Sequence, residues 1–389
     1  TVMLFCLVLL IPACSGGRGR SVLEDGVIRL EIEPDGGMAV SRKSGDNWEP
    51  VASGAGSAFR LRNAADEYTD FKLTGSSPLA ADSGGGHGLR LTFEAQGSAE
   101  FTGVKLETSF RLVPETPGAL LARTDIIGLT GAAAQAFAGY SFYRLETRAD
   151  LAGEKAEPWD FYLFQGMSYR WGKWYSRIRL SQNYSAPNLT IRDGKAQPEG
   201  GGLPVLYLWE RSGGLLLSHV DTVHRVCAFP VNVRPDSSVE LSLEQSAEFV
   251  HPDSDGRVSG LPVMIGVFGG DYFEALRAWA GQLKKNGLNF ARSPEGSYEP
   301  IWCGWGFGNK FTPNDILKSL PAVKSLEIPV VVVDDGWQVS FGQWPLIPEK
   351  FPRGEAGMRA MVDSIHAGGF KAKLWWAPGM VHERDPLYL

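Results

Sequence analysis

The sequence predicts two fold classes in succession: a large antiparallel β-sandwich, then an α/β unit built on a parallel sheet. Three observations lead there. Apolar and polar residues alternate with a period of two from about residue 22 to 268. Near Asp271 the period changes to helical spacing. From Pro300 onward, short all-apolar runs alternate with helical ones, the order β-α-β-α-β.

With 389 residues the chain is too long for one small domain, and it divides here into segments 1–20, 21–268, 269–297 and 298–389. The net charge is -6, from 38 Lys and Arg against 44 Asp and Glu. That balance, with no basic stripe, argues against a nucleic-acid partner.

The first segment contains Val2 to Ala13, VMLFCLVLLIPA. About a dozen apolar residues are too few to cross a hydrocarbon core of roughly 30 Å as a helix. The run reads as the apolar core of a secretory signal. It ends Ile11-Pro12-Ala13-Cys14 before Ser15-Gly16-Gly17, which resembles a bacterial lipobox with Cys14 as the lipidated residue. Plain cleavage after Ala13, or a buried first strand, are the alternatives. The expectation is an exported protein, periplasmic or on the cell surface, that meets the membrane only through a lipid on Cys14.

The sandwich begins with a hairpin. Ile28, Leu30 and Ile32 alternate with Arg29, Glu31 and Glu33, and the turn Pro34-Asp35-Gly36-Gly37 follows. The pattern recurs at Leu89–Phe93, Phe101–Val113, Leu203–Trp209, Leu215–Val220 and Val239–Phe249. The stretch Pro158–Leu180 departs from it, with three Trp, two Phe and three Tyr. It is either a seam between packed elements or an aromatic surface for a sugar. The loop Ser83-Gly84-Gly85-Gly86 lacks the context of a phosphate cradle.

Asp271 then reads as a helix N-cap, with Glu274 completing a capping-box-like pair. Phe273, Leu276, Ala280 and Leu283 follow at helical spacing, and Lys284, Lys285 and Gly287 end the helix. This helix is expected to link the sandwich to the next unit.

In that unit Ile301–Trp305 is a short strand. Thr312-Pro313-Asn314-Asp315 starts a helix through Leu317, Leu320, Val323 and Leu326. Pro329–Val333 is apolar throughout, as in a strand covered on both faces. Met358–Ala367 is a second helix and Phe370–Trp376 a third strand. The repeat fits a (β/α)8 barrel or a doubly wound sheet.

In such sheets ligands sit at the carboxyl ends of the strands. There the sequence places Trp302 and Trp305, then Asp334-Asp335-Gly336-Trp337, then Trp375. Carboxylates accept strongly from hydroxyls, and an indole face stacks on the apolar face of a sugar ring. The alternative is an Asp-Gly turn with Trp337 packed beneath it. The four cysteines and six histidines show no metal-ligand spacing, so neither metal nor cofactor is expected.

The segment from Trp302 to Tyr388 resembles the start of the barrel of melibiase-type α-galactosidases, glycoside hydrolase family 36. The resemblance rests on Thr312 to Leu317 (T-x-x-D-I-L), on Val332 to Trp337 (hydrophobics, then D-D-G-W), and on Lys350-Phe351-Pro352-Arg353-Gly354 (K-F-P-x-G). It also rests on Leu374, Trp375, Pro378, Met380 and Val381 from the strand-three pattern. It implies an amino-terminal β-supersandwich followed by the first three βα units of a TIM barrel. It implies that Asp334 and Asp335 bind outer hydroxyls of galactose, with Trp302, Trp305, Trp337, Trp344 and Trp375 as candidates for the pocket wall. Two acidic positions of the family differ: Ala377-Pro378-Gly379-Met380 replaces E-P-E-M, and Gln343 replaces the Asp of G-D-W.

Retaining glycosidases need two carboxyl groups about 5–5.5 Å apart. The resemblance places both beyond Leu389, so no catalytic residue is expected in this chain, and the chain alone is expected to be inactive. Three readings follow: part of an exported α-galactosidase-like hydrolase acting on raffinose- or melibiose-type oligosaccharides, a non-catalytic surface lipoprotein that binds α-galactosides, or a raffinose-synthase-like galactosyl transferase. The resemblance also implies a homo-oligomer.

Overall fold

The computed structural model describes residues 19–54, 56–81, 85–148, 162–165, 177–186, 191–192, 195–196, 203–210, 213–223, 225–289 and 291–388. Cys14 and most of the aromatic stretch Pro158–Leu180 lie outside the described residues, as does the start of the loop at Ser83. Two compact units divide between Asn289 and Phe290.

The first unit is built on a ten-stranded and a nine-stranded sheet, and their strand pairs are antiparallel. The opening hairpin shows why. Ile28, Leu30 and Ile32 are fully buried while Arg29 and Glu31 stay at the surface, and Leu30 pairs with Val40. The turn between the strands closes through Glu33 N–H to Gly37 O at 2.8 Å. Gly36 holds φ +85°, and a Cβ there would meet Ser57 Oγ at 2.8 Å, so only glycine fits. Both sheets contribute to one apolar core, in which Phe59 packs on Phe93 across the sandwich with ring centroids 5.2 Å apart. At its centre the Tyr143 hydroxyl bonds Thr124 Oγ1 at 3.0 Å, which bonds Thr108 Oγ1 at 2.9 Å. Each of these three buried hydroxyls thereby finds a partner.

The strand Val205–Glu210 is buried on both sides. Leu206 and Leu208 face the main core, while Val205, Tyr207 and Trp209 face a second one. The helix Tyr272–Lys285 covers that second face with Ala275 and Leu283, and Trp279 Nε1 donates to His219 O at 2.8 Å. Asp271 caps this helix by accepting Phe273 N–H at 3.0 Å. The expected reciprocal partner is absent: the Glu274 carboxylate pairs with Arg277 one turn on.

Two strands are shorter than their sequence patterns. Phe101 is buried but lies in the turn before the strand Lys105–Leu112, where it packs on Tyr68. The strand Ser238–Ser246 stops before Phe249, which is exposed. Apolar side chains flanking a strand extend the alternation past its last ladder bond.

The second unit holds three parallel strands, Ile301–Cys303, Val330–Val333 and Lys371–Leu374, in that order across the sheet. The helix Pro313–Ser325 joins the first to the second, and Glu355–Ala367 joins the second to the third. The first helix opens with a reciprocal capping box. Thr312 Oγ1 accepts Asp315 N–H at 3.3 Å, and Asp315 Oδ2 accepts Thr312 N–H at 2.8 Å. All four valines of the central strand are buried, as their unbroken apolar run predicts. Val331 and Val333 join a core with Phe311, Ile316, Val323, Met361 and Ile365.

Candidate functional site

Parallel register aligns the carboxyl ends of the three strands. Cys303 pairs with Val332, and Val332 with Lys373. Asp334 and Asp335 therefore leave the central strand between the exits of its two neighbours. Trp375 N–H donates to Val333 O at 2.8 Å, carrying the pairing one residue past the third strand.

The two carboxylates are partly exposed and differently held. Asp334 Oδ1 accepts Asp335 N–H at 2.7 Å, and Asp334 Oδ2 accepts the Cys303 thiol at 2.8 Å. Burial pushes the Cys303 thiol above its ordinary range, and the Asp334 carboxylate adds to the shift. The sulfur thus stays protonated and donates. Asp335 Oδ1 accepts from Gln338 Nε2 at 2.5 Å, while its Oδ2 takes no hydrogen bond among the described residues.

The turn beneath is tightly built. Gly336 holds φ +104°, and a Cβ there would meet Asn309 Cα at 2.7 Å, so the loops after strands one and two touch through backbone. Lys350 ties them together, its Nζ donating to Gly336 O at 2.7 Å and Asn309 O at 2.5 Å above the Phe311 ring. Burial lowers the ammonium's pKa, partly opposed by Asp335.

The aromatic candidates separate into two groups. Trp337, Trp344 and Trp375 come together: Trp337 and Trp344 stack at 5.8 Å, and Trp375 meets Trp344 edge-on at 6.1 Å. Trp337 is only 6% exposed, and its Nε1 donates to Trp375 O at 3.0 Å. It lies under the turn, as the Asp-Gly-turn alternative has it. Trp344 and Trp375 remain partly open, while Trp302 packs against the unit's core and against Phe307. Trp305 is exposed in a 3-10 turn. Neither of the last two makes a ring contact with the Trp344 group among the described residues.

Further contributors lie outside the residues singled out as candidates for the site. Phe341 packs on both Trp344 and Trp375, and Trp376 approaches Trp344 edge-on. Trp344 itself holds φ +58°, a left-handed conformation that bulky residues rarely adopt. The loop carrying it is pinned by Asp385, whose Oδ2 accepts Gln343 N–H at 2.9 Å. The nearness of Gln338 to Asp335 is visible in the sequence as a short turn; the pairing of Asp385 with Gln343 is not. Among the described residues no group of three or more His, Cys, Asp or Glu is placed to hold a metal ion. The arrangement offers two kinds of group that suit a polyhydroxylated ring: fixed carboxylates that accept from hydroxyls, and, at the same end of the sheet, partly open indoles.

No protein-family model matches the chain. An "A type blood alpha-D-galactosamine galactosaminidase" from Flavonifractor plautii is 28% identical over 211 residues, 51% of this chain and 19% of that protein. A family 36 α-galactosidase from Geobacillus stearothermophilus, solved in complex with raffinose, superposes with a TM-score of 0.53 at 13% identity. That match covers 95% of this chain and 58% of the other. An α-N-acetylgalactosaminidase from Bifidobacterium bifidum gives a TM-score of 0.60 at 11% identity, covering 92% of this chain and 59% of the other. The chain thus spans about a fifth of the curated relative and a little over half of each solved structure. In sequence and in fold, it resembles the amino-terminal part of the α-galactosidase-type proteins of glycoside hydrolase family 36.

Proposed function

We propose that this chain carries the sugar-gripping part of an α-galactosidase-like glycoside hydrolase, acting on terminal α-D-galactosides of the raffinose and melibiose type. One observation carries the reading: Asp334 and Asp335 leave the central parallel strand between the exits of its neighbours, at the same end of the sheet as Trp375, whose ring meets the partly open Trp344. Ionised carboxylates accept hydroxyl hydrogen bonds roughly twice as strong as neutral pairs do, and indoles offer an apolar face. The likeness to α-galactosidases and galactosaminidases supports the same substrate class.

In this reading the three parallel strands are the first units of a (β/α)8 barrel, and their carboxyl ends form part of its functional face. Asp334 and Asp335 orient the sugar and do no proton or bond chemistry. The nucleophile and the acid/base are supplied by carboxylates that the resemblance places beyond Leu389. Export, with a lipid anchor at Cys14, belongs to the same proposal and rests on the lipobox-like Ile11-Pro12-Ala13-Cys14.

Calorimetric titration with methyl α-D-galactopyranoside tests the reading. Binding that disappears in Asp334→Ala supports it; no binding, or equal binding to the glucoside epimer, overturns the galactoside assignment. A labelled fatty acid incorporated in the native host, and lost in Cys14→Ala, tests the anchor.

A further inference from the structure

We propose that Cys303 and Gln338 are positioning residues, neutral donors that aim the two acidic side chains at sugar hydroxyls without neutralising them. This inference rests on the galactoside reading and extends it.

The geometry singles out both side chains. Cys303 is the last residue of the first strand, and its thiol donates to Asp334 Oδ2 at 2.8 Å. Gln338 is 6% exposed. Its Oε1 accepts Gly336 N–H at 3.2 Å, which forces its amide NH2 toward Asp335 Oδ1. One donor ends the first strand and the other lies in the turn after the second, and each holds one carboxylate.

Their neutrality has a consequence. An arginine at either place would form a bidentate ion pair and occupy both oxygens of its carboxylate. A thiol or an amide takes one lone pair and leaves the charge in place. Each carboxylate has about four acceptor sites. Asp334 uses two, on Cys303 and the Asp335 backbone; Asp335 uses one, on Gln338. The nearby ammonium of Lys350 is spent on the carbonyls of Gly336 and Asn309. The remaining acceptors suit a ligand with two adjacent hydroxyl donors, such as a pyranose, and disfavour an anionic compound.

The test is titration of the full chain with methyl α-D-galactopyranoside between pH 5 and 8. Cys303→Ser keeps a donor and is expected to bind within about 2-fold of the unaltered chain, while Cys303→Ala binds ~10-fold more weakly, the scale of one lost hydrogen bond to a charged group. Gln338→Glu gives the most specific readout. It sets a second carboxylate against Asp335, with Asp334, Cys303, Lys350 and Lys373 as the other titratable groups nearby. Two such carboxylates share a proton at lower pH, which restores a donor. Its affinity should therefore fall at pH 8 and recover toward pH 5, relative to the unaltered chain at each pH.

Near-ultraviolet circular dichroism establishes that each variant is folded. Full affinity in folded Cys303→Ala and Gln338→Leu, alongside loss in Asp334→Ala, overturns this inference and leaves the galactoside reading standing. So does a Gln338→Glu defect of the same size at every pH, which would mark a purely structural role. No binding by the unaltered chain overturns the reading and this inference with it.

Discussion

Trp337 Nε1 donates to the backbone carbonyl of Trp375 at 3.0 Å, joining the turn after the second parallel strand to the exit of the third. Trp337 is buried and Trp375 partly exposed, so this bond is partly shielded from water. It also sets the ring on which Trp344 stacks. Trp337→Phe keeps an aromatic plug but leaves the carbonyl without its donor. The expected loss is about 1–3 kcal/mol in denaturant unfolding followed by tryptophan fluorescence. If the proposed galactoside reading holds, affinity for methyl α-D-galactopyranoside should fall as well, because the ring beneath Trp344 becomes smaller. A variant with unchanged stability and affinity would show that the bond plays no part in either.

Gly342 and Asp385 form a second junction. Gly342 holds φ +119°, and a Cβ there would lie 2.4 Å from the Asp385 carboxyl group. That carboxyl group accepts the backbone N–H groups of Gln343 and Leu387, both at 2.9 Å. Gly342→Ala meets both a steric overlap and an unfavourable backbone angle, at a cost of about 1–3 kcal/mol. The stacked pair of Trp337 and Trp344 sits within the affected loop, so its near-ultraviolet dichroism should change too. An unchanged spectrum would mean that Asp385 does not hold Trp344 in place.

The two junctions mark what the sequence makes legible and what it does not. Alternation reveals the strand Ile28–Ile32 because one face meets the core and the other meets water. Four consecutive valines reveal a strand covered on both sides. Thr312 and Asp315 reveal a helix start because the capping box is local in the chain. Asp334 and Asp335 are legible at the end of that valine strand, where topology places ligand sites. Asp385 is 42 residues from Gln343, and nothing local indicates that they meet. The aromatic candidates show the same limit. Composition marks Trp302, Trp305, Trp337, Trp344 and Trp375 alike, yet only three of them cluster, because side-chain direction depends on turns such as the left-handed Trp344.

Lys350 offers a third prediction. Its ammonium bonds two loop carbonyls and lies over the Phe311 ring at 4.4 Å. Lys350→Met preserves the length of the side chain but leaves the carbonyls of Gly336 and Asn309 without this donor. A loss of about 2–4 kcal/mol is expected, on the scale of two hydrogen bonds from a charged group. Hydrogen exchange should show faster labelling in the loops around Asn309 and Gly336, and unaltered protection there would overturn the assignment.

The half-buried Cys227 thiol and three buried phenols predict how the sandwich responds to alkali. Burial pushes the Cys227 thiol up to about 12, from an ordinary value of 9.0. Burial likewise raises the hydroxyls of Tyr140, Tyr143 and Tyr207 above their ordinary 10.0. In each case the folded state keeps a proton that the unfolded chain releases at lower pH. The sign follows from linkage: where the unfolded state binds fewer protons, stability falls as pH rises. The stabilisation is complete below about pH 9 and declines between pH 9 and 12, by about 1 kcal/mol per pH unit for each group in its window. Urea unfolding at pH 8, 9.5 and 10.5 measures the decline. Cys227→Ala removes one ionising group and should flatten the first part of that limb, between pH 9 and 10. If its slope there matches that of the unaltered chain, Cys227 is not held protonated by the fold.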